Sequence, residues 1–166
     1  MEAKNLIFNN NDIQSKIKRI SLEVYEEVFN DKKLTIIGIS KNGYEIAKKI
    51  KNFIEEYSNL EIKIYKIDIL KKGKGYEIKI EEKYDINNST VLLVDDVSQS
   101  GRTLQFVISN LINLNPSKIK TSVIVNRDQT LFPVKVDFSG VKLSTSVNEH
   151  IDFIIDEKKE FNVFLS

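Results

Sequence analysis

Two adjacent carboxylates, Asp95 and Asp96, follow the short apolar run Val91-Leu92-Leu93-Val94 and precede a stretch of small polar residues, Ser98-Gln99-Ser100-Gly101-Arg102-Thr103. The apolar run reads as a buried strand, and Leu104 onward as a helix, so the acids sit at the carboxyl end of a strand with a turn and a helix start behind them. In an open parallel sheet that end of the strands is where ligands bind. Backbone N–H groups at a helix start, with the hydroxyls of Ser98, Ser100 and Thr103, make a cradle for a phosphate. Gly101 permits close backbone approach. Carboxylates beside a phosphate are repelled unless they face something else, and vicinal ribose hydroxyls or a magnesium ion would satisfy them. A phosphoribosyl group fits both halves. The plainer alternative is a strand end followed by a capping turn, since Ser, Thr and Asp are common helix caps.

The elements that must hold this segment are legible from periodicity. From Asp12 to Phe29, Ile13, Ile17, Ile20, Val24 and Val28 recur at helical spacing and predict an amphipathic helix. Leu34 to Ile39 is short and β-branched, as a buried strand should be. A second helix is expected from Gly43, carrying Ile46, Ala47, Ile50, Phe53, Ile54 and Tyr57. Glu61 to Ile69 alternates with period two, Lys71 to Gly75 makes a lysine-glycine turn, and Tyr76 to Tyr84 resumes the alternation. After the central strand, Thr90 to Val94, comes a helix with Leu104, Val107, Ile108, Leu111 and Leu114, ending before Pro116. Strands are expected at Ile119 to Val125 and Val134 to Leu143, with a turn at Phe132-Pro133 between them and an extended tail from Ile151 to Ser166. Alternating strands and helices require right-handed crossovers, hence an α/β fold with a mostly parallel central sheet. Residues 1–166 read as one domain.

Composition narrows the function. Hydrophobic residues make up 41% and charged residues 30%, the balance of a globular chain. With 25 basic and 24 acidic residues the net charge is +1, so no global field draws the chain to nucleic acid or an anionic membrane. The absence of cysteine removes disulfides, thiolate metal sites and cysteine nucleophiles. A single histidine, His150, excludes a multi-histidine metal centre and leaves a Ser-His-Asp mechanism only if that residue carries it. No apolar run suits a signal peptide or a membrane span, so cytoplasmic residence is expected. Arg19, Arg102 and Arg127 are the only arginines in a chain that otherwise uses lysine.

The acids, the Ser100-Gly101-Arg102-Thr103 turn and the hydrophobic strand before them resemble the signature of type I phosphoribosyltransferases. The likeness continues in Gly38-Ile39-Ser40-Lys41-Asn42-Gly43, where that family places a pyrophosphate loop. It continues again in Val123 to Asp128 and Phe132 to Gly140, which look like the PyrR-like subfamily of pyrimidine-operon attenuators and uracil phosphoribosyltransferases. The resemblance implies transfer of ribose 5-phosphate from phosphoribosyl pyrophosphate (PRPP) to a base, with magnesium. Asp95 and Asp96 would hold the ribose hydroxyls and the metal, and Ser98, Gln99, Ser100, Gly101, Arg102 and Thr103 the 5′-phosphate. Ser40, Lys41, Asn42 and Gly43 would receive pyrophosphate, with Lys41 as its positive group. Lys71, Lys72 and Lys74 would sit on a mobile β-ribbon hood closing over the substrate. Asn126, Arg127 and the Thr145–Val147 segment, with Val147, would read the base. Arg127 reads equally as a surface ion-pair former.

Two departures bear on activity. Lys41-Asn42-Gly43 replaces the subfamily's Thr-Arg-Gly and so loses a bidentate phosphate ligand. The hood also lacks the expected arginine and acids. Purine-specific relatives place an aspartate at position 99, and Gln99 cannot exchange a proton with a purine ring. Uracil to UMP is therefore the expected reaction, acting as a homodimer. A pyrimidine-sensing RNA-binding role, using Lys16, Lys18, Arg19 and Lys135, and a nucleotide-binding fold without catalysis are the alternatives.

Overall fold

The computed structural model describes residues 4–73, 75–80, 84–127, 130–144 and 149–166. In chain order these form β1 (Asn5–Phe8), α1 (Asn10–Val28), β2 (Lys33–Ile39), α2 (Ser40–Glu55), β3 (Glu61–Lys72), β4 (Gly75–Ile80), β5 (Thr90–Ser98) and α3 (Arg102–Leu111). A short 3₁₀ turn (Ile112–Leu114), β6 (Lys118–Arg127), β7 (Phe138–Leu143), β8 (Ile151–Ile155) and β9 (Phe161–Leu165) complete them.

Six strands make the main sheet in the order β4-β3-β2-β5-β6-β7. All neighbours are parallel except β3 and β4, a hairpin whose register runs from Ile67 opposite Ile80 to Lys72 opposite Gly75. From β2 the chain winds outward to β3 and β4, and from β5 outward the other way to β6 and β7. The crevice between β2 and β5 is therefore the topological switch point.

Alternation along the central strands divides the core. Ile36, Leu92, Val94 and Ile124 face α1 and α2, while Ile37, Leu93, Val91 and Val123 face α3 and the β3–β4 hairpin. Each buried isoleucine or leucine stabilises the fold by roughly 1.5–3 kcal/mol. Helix α1 begins two residues before the expected Asp12, because Asn9 and Asp12 form a reciprocal capping box with bonds of 3.1 and 3.0 Å.

Several expectations need correction. Helix α2 starts at Ser40 rather than Gly43, so the supposed pyrophosphate loop is its first turn; Ser40, at φ 56°, turns the chain directly from strand into helix. Gly43 permits this, since a Cβ there would lie 2.5 Å from the Val94 carbonyl oxygen. Strand β7 begins at Phe138, not Val134. Thr121 donates its N–H to the Asp137 carboxylate at 3.0 Å and its hydroxyl to the Lys135 carbonyl at 2.7 Å, and these side-chain bonds occupy the place of a strand ladder. Of the run expected as far as Tyr84, Gly75–Ile80 is strand β4, residues 81–83 lie outside the described residues and Tyr84 is not in a strand.

The tail is not simply extended. It folds into the antiparallel pair β8–β9, to which β1 adds as a third strand, giving a second sheet in the order β1-β9-β8. Phe153 and Phe161, with ring centroids 5.5 Å apart, join this sheet to the α1–α2 side of the core. None of the described helices is long and apolar enough to cross a membrane.

Candidate active site

Strand β5 outruns β2. Its pairing with β2 ends at Gly38 opposite Val94, while its pairing with β6 continues to Ser98 opposite Asn126. Asp95 and Asp96 therefore lie within the strand, on the stretch left open where β2 turns into α2. Their surroundings differ. Asp95 is 8% exposed. Burial, and after it the neighbouring Asp96 carboxylate, push the Asp95 carboxyl well above the usual carboxylate range. Asp96 is half-buried and held by donors on both oxygens: Val97 N–H at 2.7 Å on Oδ1 and the Asn42 amide nitrogen at 2.7 Å on Oδ2.

On one side of the acids lies the turn into α3. Ser98 is buried, Gln99 exposed, and Gly101 takes φ 79°. A Cβ on Gly101 would meet Val134 Cγ1 at 2.5 Å, so the turn is pressed against the segment after β6. The Ser100 carbonyl accepts the N–H groups of Leu131 and Phe132 at 2.9 and 3.1 Å, which fixes the contact. The N-cap residue of α3, Gly101, supplies no side-chain bond, Ser100 Oγ accepts the Arg102 N–H at 3.3 Å, and no acidic residue sits in the first turn. The helix thus presents amide hydrogens and the positive end of its dipole to a cavity of 210 Å³ lined by Asp95 and Val97 to Leu104.

On the other side is the α2 start, whose N-cap residue also supplies no side-chain bond. A cleft of 410 Å³ joins Ile39, Ser40, Lys41 and Asn42 to Asp95, Asp96, Val97, Thr103 and Ile69. The two cavities share Asp95, Val97 and Thr103. Together they form a groove with carboxylates in the middle and a helix N-terminus at each end. That is the charge pattern of a ligand with hydroxyls between two anionic groups.

The remaining sequence-predicted residues are placed less centrally. Arg102 is exposed, its guanidinium 5.6 Å from the Tyr76 ring centroid and 5.4 Å from that of Phe132, so it bridges the hairpin and the segment after β6. Lys71 and Lys72 are strand residues near the exposed hairpin tip; Lys72 pairs with Glu77 at 2.8 Å, and neither lines the groove, which β3 reaches only through Ile69. Gly43 is buried and serves packing rather than the cavity wall. Asn126 is half-buried at the end of β6 and Arg127 is 1% exposed, which overturns its reading as a surface ion-pair former. Neither lines the groove. Val147 with Thr145, and Lys74, lie outside the described residues.

Of the residues named for a nucleic-acid face, Lys16 lies over the Phe8 ring at 4.5 Å and Lys135 pairs with Asp137 at 3.2 Å. Arg19 is committed to Glu23 and to the carbonyls of Ser139 and Gly140. His150, exposed, lies 3.6 Å from Asp152. Sequence reasoning missed Ile69, Tyr76 and Phe132 as neighbours of the site, and the Asn42–Asp96 bond; each depends on tertiary pairing that no local pattern signals.

Known proteins agree with this geometry. A model of the phosphoribosyl transferase domain matches residues 5–158. The Bifunctional protein PyrR of Streptococcus uberis is 33% identical over 141 residues, covering 81% of this chain and 80% of that one. That of Leuconostoc citreum is 29% identical over 159 residues, 91% of each. In structure the chain is similar to a hypoxanthine-guanine phosphoribosyltransferase from Bacillus anthracis, with TM-score 0.75, 19% identity, and 87% and 85% of the two chains covered. A hypoxanthine phosphoribosyltransferase variant from Trypanosoma cruzi, complexed with the product IMP, gives TM-score 0.81 at 14% identity, with 97% and 88% covered. At those identities the likeness speaks to the fold. The family match over most of the chain carries the assignment: the chain belongs to the type I phosphoribosyltransferases, PRPP-dependent enzymes, on their PyrR-like branch.

Proposed function

We propose that the protein transfers ribose 5-phosphate from PRPP to uracil, forming UMP and releasing pyrophosphate. The observation that carries this reading is the groove in which two carboxylates lie between two helix N-termini whose N-cap residues supply no side-chain bond. PRPP has a matching order: 5′-phosphate, ribose diol, pyrophosphate. In this arrangement the 5′-phosphate rests on the α3 amides with Ser98, Ser100 and Thr103, the diol hydroxyls donate to Asp95 and Asp96, and the pyrophosphate meets Lys41 and the first turn of α2.

The reaction breaks the bond between C1 of the ribose and a pyrophosphate oxygen and forms one from C1 to a ring nitrogen, whose proton leaves to solvent or to the departing pyrophosphate. Positive charge develops on the sugar as negative charge develops on the leaving group, so positioning and electrostatics supply the acceleration. The acid pair faces the sugar's developing charge and Lys41 that of the leaving group. Asp95, buried beside Asp96, has its carboxyl raised above the usual range, and a cationic sugar forming beside it would favour its charged form.

Magnesium fits this donor set. No group of three or more metal-binding side chains occurs among the described residues, yet this ion is commonly held by one or two carboxylates together with substrate phosphates, and Asp96 with Asp95 can supply the carboxylates. Bound there, it would offset pyrophosphate charge. Gln99 favours a pyrimidine, because the amide lining the turn cannot act as an acid or base toward a purine ring. We place the protein in the cytoplasm as a homodimer.

Pyrophosphate release should be assayed against uracil, hypoxanthine, guanine, adenine, xanthine and orotate. Turnover with uracil well above the other bases supports the proposal. Turnover with a purine alone would reassign the base, and no turnover with any of the six would refute the reaction.

A further inference from the structure

We propose that Asn42 is a positioning residue that holds Asp96 for the ribose diol, and not a ligand for pyrophosphate. The inference rests on the reading of the groove above and assigns a different task to a residue that sequence comparison puts in the pyrophosphate loop.

A side-chain amide has two N–H donors and one carbonyl acceptor. Both donors of Asn42 are committed: its nitrogen lies 2.7 Å from Asp96 Oδ2 and 3.1 Å from the carbonyl oxygen of Phe153. No donor remains for an anion, and the free amide oxygen repels phosphate oxygens. The orientation of the amide is fixed by its partners, since flipping it would set an oxygen against a carboxylate and a carbonyl.

The bond completes the grip on Asp96. Its other oxygen accepts Val97 N–H at 2.7 Å, so the carboxylate is held from both sides and its remaining lone pairs face the groove. Charge-assisted bonds of this kind are short and strong. The second partner gives the arrangement reach. Strand β8 is an edge of the small sheet, which leaves the Phe153 carbonyl available on its outer side. Asn42 thereby links the α2 start, the acid on β5 and the small sheet in one contact. A longer arginine here would carry its donors past Asp96 toward the leaving group. Asparagine is short enough to stop at the acid.

The test separates the two ends of the ligand. Ribose 5-phosphate carries the diol and no pyrophosphate, so calorimetry measures its binding, and that of inorganic pyrophosphate without magnesium so that no ion on Asp96 links the two ends, on wild type, Asn42→Ala and Asn42→Asp. The expected result is a loss of ribose 5-phosphate affinity of about 10- to 100-fold in Asn42→Ala, by analogy with removal of the hydrogen-bond partner that orients a metal-binding carboxylate. Asn42→Asp should be worse, because it sets a carboxylate against Asp96. Pyrophosphate affinity should stay within about twofold in Asn42→Ala.

Loss of pyrophosphate affinity with ribose 5-phosphate unaffected would overturn the proposal. So would equal losses in both variants matched by equal drops in melting temperature, the mark of a merely structural contact. If Asn42→Asp does not fold, the two affinities of Asn42→Ala decide alone. Failure of wild type to bind ribose 5-phosphate would also overturn it. Binding without turnover on any base would refute the proposed reaction while leaving this inference standing.

Discussion

The two ends of the groove use the same backbone device and arm it differently. At the α3 end a strand, a turn of small hydroxyl residues and a left-handed glycine lead into a helix start whose first N–H is taken by the Ser100 hydroxyl, and the turn is braced from behind by Leu131, Phe132 and Val134. At the α2 end there is no turn at all: Ser40 passes directly from strand to helix, and the one amide side chain there is engaged with Asp96. The first end can wrap a terminal phosphate with backbone and hydroxyls. The second presents a lysine and bare helix amides, and its asparagine serves the acids between. Helix amides are common to both ends, so the side chains beside them can differ, and one of them can be turned to orienting the neighbouring acid.

The sharpest way to break this comparison is at the middle, on which both ends depend. Asp96→Asn keeps the shape but replaces an acceptor pair with an amide facing the Asn42 donors and a developing positive charge. Its kcat should fall by about 100- to 1,000-fold in the pyrophosphate-release assay, the scale for losing one preorganised electrostatic partner. A fall of less than tenfold would remove Asp96 from the chemistry.

Next comes the braced end. Gly101→Ala places a Cβ at φ 79° and 2.5 Å from Val134 Cγ1, so the turn must shift. Holding a non-glycine residue there costs about 1–3 kcal/mol. The expected outcome is a lower melting temperature together with a rise in the KM for PRPP, by about 10-fold. Unchanged values would mean that the turn is less tightly held than the contacts indicate.

Lys41→Ala probes the barer end. With the helix amides left in place, kcat/KM for PRPP should fall by about 10-fold, less than for Asp96→Asn, because one charge-assisted contact is lost from several. A larger loss than that of Asp96→Asn would reverse the ranking of the two regions.

The smallest effect concerns stability. The folded pKa of Asp95 is raised above its unfolded value. Such a group leaves stability intact below the unfolded pKa, about 3.9, and lowers it as pH rises toward the folded pKa, since only the unfolded chain then gives up the proton. Asp95→Asn should therefore melt higher than wild type at neutral pH, by about 2–4 °C for each kcal/mol recovered, with the gap closing near pH 4. A lower melting temperature at neutral pH would show that the buried carboxyl is stabilising.

What could be read from sequence follows the same division. The α3 end was legible because strand, acids, glycine and helix start are contiguous from Val91 to Leu104, and each residue type has a local physical reason. The α2 end was misread because its signal is not local. Gly43 looked like a helix start, but it is required by the Val94 carbonyl on another strand. The Asn42–Asp96 bond spans 54 residues, and no periodicity announces it. The small sheet was hidden for the same reason, since it pairs Asn5 with Leu165 at opposite ends of the chain and β1 lies in a polar, asparagine-rich stretch. Arg127 is buried because β6 lies between β5 and β7, a position set by topology rather than by its neighbours in sequence. Arg102, expected in the phosphate turn, is the first residue of α3, and its aromatic partners come from β4 and from the loop after β6, which only folding brings together.

The groove itself is tested most directly by a crystal of the protein soaked with ribose 5-phosphate and magnesium. The account predicts the phosphate on the N–H groups at the start of α3, with the two ring hydroxyls within hydrogen-bonding distance of Asp95 and Asp96. A phosphate bound at the α2 end, or a sugar whose diol faces away from both acids, would contradict it.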